Sequence, residues 1–130
     1  MHALLRRRRQ FGKHIGRYQS VSNRIVDMRI RWEISRMLLH RAAAELDSPE
    51  ASIFPEVGKL YVSEAAAETF TSAMQVYGAL GYSSDGRAER NLRDALGMTI
   101  SSGTSDMQRV IISGKLGLAW PDTEGDGEGR

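Results

Sequence analysis

Between Val21 and Ala42 apolar residues return at alternating intervals of four and three: Val21, Ile25, Met28, Trp32, Ser35, Leu39 and Ala42, with only Ser35 polar. That spacing places one apolar stripe on a helix predicted from Gln19 or Ser20 to about Leu46, one-sided enough to need partner helices in a bundle. Upstream, residues 1–10 are compatible with helix throughout. Phe11-Gly12-Lys13 reads as their stop, with glycine as the cap and basic residues near the negative end of the helix dipole. Downstream, Asp47-Ser48-Pro49-Glu50 breaks the pattern, and Phe54-Pro55-Glu56 opens a helix predicted from about Pro55 to Leu80. Its middle, Ser63-Glu64-Ala65-Ala66-Ala67-Glu68, is small enough to admit a neighbouring helix closely. Gly78-Ala79-Leu80-Gly81-Tyr82 makes a turn, and Ala88 to Gly97 reads as a short polar helix centred on Leu92-Arg93-Asp94. A last helix is predicted from about Thr104 to Leu116, with Met107, Val110, Ile111 and Gly114 on its buried side and Gly117 as its stop. Alternation never persists long enough to predict a strand, and no internal repeat is present.

The stretch Ile100 to Arg109 carries the clearest local chemistry. Gly103 lets the backbone turn and Thr104 is suited to cap the helix that follows, satisfying free N–H groups of its first turn. Asp106 and Gln108 fall early in the same helix, where acidic and polar side chains can reach those groups. A helix start of this kind attracts a phosphate or a carbonyl oxygen.

Composition narrows the class. The 130 residues suit one domain, and 41% hydrophobic with 26% charged residues is a globular balance. No apolar run reaches membrane-spanning length, and Met1-His2-Ala3-Leu4-Leu5 precedes four arginines, the reverse of a secretory signal, so a cytoplasmic protein is expected. The absence of cysteine removes disulfides, thiolate metal ligands and cysteine nucleophiles together. Charge is uneven within a net +2: Arg6, Arg7, Arg8, Arg9 and Lys13 cluster near the start. Asp122, Glu124, Asp126 and Glu128 lie among glycines in a tail, 119–130, expected to be disordered.

Most single features read as structure. The arginine run lacks the aromatic or basic repeats of a nucleic-acid groove binder and is expected to be a solvated helix end. His2, His14 and His40 have no metal-ligand spacing, so no metal site is expected. Trp32, on the apolar stripe, is expected in the core. Ser101 and Ser102 have no nucleophile-elbow frame and no base beside them.

Five pieces, in order, resemble the C-terminal helical domain of the acyl-CoA dehydrogenase family of flavoproteins over residues 4–118. They are Arg8-Arg9-Gln10-Phe11-Gly12-Lys13; Tyr18-Gln19; Lys59-Leu60-Tyr61-Val62-Ser63-Glu64-Ala65-Ala66; Gln75-Val76-Tyr77-Gly78-Ala79-Leu80-Gly81-Tyr82; and Arg93-Asp94 leading into Gly103-Thr104-Ser105-Asp106-Met107-Gln108-Arg109. The resemblance implies an all-α, up-and-down four-helix bundle with its first helix truncated, packing with other subunits and completing an FAD site. It also implies roles. Arg8 resembles the arginine that contacts the flavin diphosphate, and Phe11 and Gln19 match positions lining the cofactor. Gln75, Gly78 and Ala79 resemble the segment meeting the adenosine diphosphate part across a subunit interface, although many relatives have a second glycine where Ala79 stands. Thr104 and Gln108 match FAD contacts at the start of the last helix.

One position departs. Many members carry a glutamate directly before the Gly-Thr pair, where it removes the α-proton of the acyl thioester while hydride leaves the β-carbon. Here that position is Ser102, whose hydroxyl ionises far above neutrality and cannot act as the base. Asp106 sits where relatives carry an additional acid and does not replace it. The main-chain N–H of Ser102, next to Gly103, is left to hold the thioester carbonyl, so binding and polarisation of substrate are implied without a catalytic residue in the chain. The resemblance thus implies the FAD-completing part of an acyl-CoA or acyl-carrier dehydrogenase, inactive alone, with its base supplied upstream or by another subunit. Alternatives are a flavin-dependent monooxygenase or oxidase of the same fold, and a non-catalytic module that pairs with intact relatives.

Overall fold

The protein is described by a computed structural model over residues 2–45, 52–84 and 87–118. In order these form α1 (His2–Arg7), β1 (Arg9–Gln10), β2 (Lys13–His14), a 3-10 turn (Ile15–Arg17), α2 (Gln19–Ala44), α3 (Phe54–Tyr77), α4 (Ala79–Tyr82), α5 (Arg87–Met98) and α6 (Ser105–Lys115). The acidic tail, Leu46 and the break at Asp47-Ser48-Pro49-Glu50 lie outside the described residues.

The all-α bundle is built around α3, which touches α2, α5 and α6. Its small residues explain why. Gly58, Ser63, Ala65 and Ala73 are buried, and a Cβ on Gly58 would stand only 3.5 Å from the Ala42 Cβ, so α2 approaches the α3 backbone closely there. Arg31 Nε donates to Glu68 Oε2 at 2.8 Å, which with the Gly58–Ala42 contact sets α2 antiparallel to α3. Lys115 pairs with Glu56 at 2.9 Å and Arg109 with Glu64 at 2.7 Å, so α6 also runs against α3. Lys59 Nζ donates to the Met98 carbonyl at 3.0 Å and ties the end of α5 to the first part of α3. The apolar centre is Met28, Ala73 and Val76, with Leu5, Val21, Ile25 and Tyr77 packed against it. Burying a side chain such as Met28 stabilises by about 1.5–3 kcal/mol.

Four expectations need correction. The first helix stops at Arg7, and Phe11-Gly12 is the tip of a short antiparallel hairpin pairing Arg9 with His14 and Gln10 with Lys13. Phe11 and Gly12 take φ of 48° and 81°. Paired positive values are those of a tight hairpin turn, and a phenylalanine gives no sequence sign of that conformation. Trp32 lies at the edge of the α2–α3 groove, 47% exposed, with the guanidiniums of Arg29 and Arg36 over its ring at 4.6 and 4.7 Å. The helical stripe is real, with Met28 buried, but Trp32 and Leu39 further along it are exposed. On α6, Met107, Val110, Ile111 and Gly114 are exposed while Gln108 is buried, because the ion pairs of Arg109 and Lys115 turn the polar face toward α3. The long α3 ends at Tyr77 rather than Leu80, since Gly78 leaves helical geometry with φ 61°. Among the described residues no helix is long and apolar enough to cross a membrane.

Candidate functional site

Arg8 follows α1 directly, and its side chain crosses to the far end of α3. Its Nη1 donates to the Tyr77 carbonyl at 2.9 Å, across 69 positions of sequence. A Cβ on Gly78 would stand 3.7 Å from Nη1 and 3.9 Å from Nη2, so the half-buried guanidinium lies along bare backbone. Gly78 has φ 61°, in the region that is costly for a residue with a Cβ. The remaining N–H groups of Arg8 have no acceptor among the described residues.

Other predicted contacts gather at this end. Phe11 projects from the hairpin tip, 93% exposed. Tyr18 holds that hairpin, its Oη donating to the Gln10 carbonyl at 2.8 Å and its ring carrying Lys13 Nζ at 4.2 Å. Gln19 opens α2, Gln75 lies in the last turn of α3 and Ala79 begins α4, all exposed.

The second group is local. Ser102 has φ 51° and Gly103 φ 87°. A Cβ on Gly103 would come within 2.6 Å of Gln108 Nε2, so the buried Gln108 amide is packed directly beneath the turn. Thr104 caps α6, its hydroxyl accepting from Met107 N at 3.1 Å and its carbonyl from Gln108 N at 2.9 Å, the bonding that an N-cap threonine supplies. The flanks of the loop are closed by Ser101 N to Gly97 O at 3.0 Å and Ser105 N to Thr99 O at 2.9 Å. Between them the N–H groups of Ser102, Gly103 and Thr104 have no acceptor among the described residues. Asp106 points into solvent, 3.7 Å from Arg109.

These groups are apart. The two sides of the loop are fastened to the first half of α3, Met98 through Lys59 and Arg109 through Glu64. More than three turns of α3 separate Glu64 from Tyr77, roughly 20 Å at about 1.5 Å per residue. One chain therefore presents the two groups at two separate surfaces. Among the described residues the non-glycine positions with positive φ are Phe11 and Ser102, one in each surface. The Arg109–Glu64 anchor has no sequence signal, because its partners lie 45 positions apart.

The C-terminal domain of acyl-CoA dehydrogenases matches residues 1–117. An L-prolyl-peptidyl-carrier protein dehydrogenase of Pseudomonas fluorescens is 43% identical over 114 residues, 87% of this chain and 30% of that protein. A solved FAD-dependent dehydrogenase superposes with a TM-score of 0.86 at 39% identity, covering 91% of this chain and 32% of that one. The prolyl acyl carrier protein oxidase AnaB superposes with a TM-score of 0.84 at 36% identity, over 90% of this chain and 31% of its own. The chain thus spans about 30% of the length of the Pseudomonas fluorescens relative.

Proposed function

Since the chain belongs to the acyl-CoA dehydrogenase family and carries its C-terminal helical domain, we propose that it completes the FAD site of an acyl-CoA or acyl-carrier dehydrogenase. It does so together with the part that makes up the rest of its relatives' length. The observation that carries this reading is that positive φ outside glycine falls on Phe11 and Ser102, two positions matched to flavin and thioester contacts, and strained backbone gathers at ligand sites.

The residues present suit the cofactor. Arg8 has N–H groups to spare beside a glycine backbone with no side chain in the way, a combination fitted to a diphosphate. Gln75 and Ala79 flank it, and Phe11 and Gln19 offer an exposed ring and amide nearby. Thr104 and Gln108 form the second FAD contact, at the start of α6. When bound, FAD would accept the hydride that leaves the β-carbon of the acyl thioester. The N–H groups of Ser102 and Gly103 hold the thioester carbonyl and stabilise the charge that develops on it. Ser102 does not remove the α-proton, so the base comes from the upstream part or from another subunit. Val26, Ile30, Met37, Met107 and Val110 are exposed on α2 and α6, and that apolar surface is where the upstream part and other subunits pack.

The test is a chimaera in which this chain replaces the matching third of the Pseudomonas fluorescens relative. It is expected to keep FAD through gel filtration and to bleach when mixed anaerobically with an L-prolyl-carrier thioester. A folded chimaera without FAD overturns the proposal. The similarity to a prolyl acyl carrier protein oxidase favours, as a second reading, an oxidase of the same fold. Oxygen consumption matching substrate turnover would select it.

A further inference from the structure

At the cationic end of the molecule a pocket of about 400 Å³ opens between α1 and the 3-10 turn, lined by Leu5, Arg6, His14, Gly16 and Arg17. Its chemistry is one-sided. None of its lining residues is acidic, and neither is any of residues 1–26. Neither Arg6 nor Arg17 forms an ion pair among the described residues, and both are exposed. His14 lines the same pocket, and its Nδ1 is enclosed without a hydrogen-bond partner among the described residues. Arg8 takes no part, because its guanidinium is turned to the Tyr77 carbonyl on α3.

We propose that this pocket binds the phosphate of an organic phosphate monoester, with Arg6 and Arg17 as its donors. Two guanidiniums from separate elements suit a dianion with several acceptor oxygens better than a single carboxylate. The space exceeds what a bare ion fills, and Leu5 supplies an apolar wall for the organic part. The site rests on its own geometry and stands apart from the flavin contact assigned to Arg8.

Calorimetric titration of the full chain tests it, using inorganic phosphate, 4′-phosphopantetheine and adenosine 5′-monophosphate as probes. Saturable binding is expected, with at least one of the two esters tighter than inorganic phosphate, and which of them is tighter identifies the source of the phosphate. Arg6→Gln and Arg17→Gln should each weaken that ester about tenfold or more, the loss of one charge-assisted contact, with unchanged melting curves because both side chains are exposed. Arg90→Gln, an exposed arginine on α5 outside the pocket lining, should leave the affinity within about twofold. Absence of saturable binding, no preference for either ester, or an equal loss through Arg90→Gln would overturn the proposal.

Discussion

The two candidate surfaces are made in opposite ways. At the Arg8 end, a charged side chain reaches a carbonyl 69 positions away, and the surface exists only if α1, the hairpin and the end of α3 are docked. At the Ser102 end, a neutral turn is assembled within one short loop from a capping threonine, two positive-φ residues and a buried amide. The first depends on tertiary packing and offers charge, whereas the second depends on backbone conformation and offers oriented N–H groups. They stand at separate points along α3, more than three turns apart.

Glycine substitutions should separate the surfaces most sharply. At Gly103 a Cβ meets both a φ of 87° and an amide at 2.6 Å, whereas at Gly78 the φ is 61° but the nearest atoms stand at 3.7 Å or more. Gly103→Ala is therefore expected to cost about 3 kcal/mol, strain plus displacement of the buried Gln108, and Gly78→Ala only about 1–2 kcal/mol from strain. Urea denaturation of the chain measures both, and equal losses would show that Gln108 yields freely. A smaller effect tests the cap. Thr104→Ala should lose about 1 kcal/mol and Thr104→Ser much less, read from the same denaturation curves. A Thr104→Ala variant as stable as the parent would mean that water caps α6 equally well.

How far these surfaces can be read from sequence follows from the same contrast. The cap is legible, because Gly103-Thr104 is a local signal and the structure puts Thr104 at the N-cap with its hydroxyl engaged. The long helices are legible from their period, and α2 and α3 fall within a few residues of their predicted ends. The approach of Arg8 to Tyr77 is not, since no local pattern links residues so distant; only the family resemblance marks both. The hairpin escapes a sequence reading because Phe11-Gly12 lacks the asparagine or aspartate that usually announces such a turn. The orientation of α6 is opposite to the one its apolar residues suggest, since those face outward in this chain while the ion pairs to Glu56 and Glu64 decide which side meets α3.

In the proposed assembly Ser102 contributes backbone and not a base, while Arg8 contributes flavin affinity. Anaerobic flavin reduction in Ser102→Ala and Arg8→Gln variants of the chimaera reads both roles. Ser102→Ala should keep its FAD and reduce it within about threefold of the parent rate, since the N–H of residue 102 is unchanged, and Arg8→Gln should weaken FAD binding about tenfold or more. Abolished reduction in a Ser102→Ala protein that still holds FAD would contradict the backbone role of Ser102.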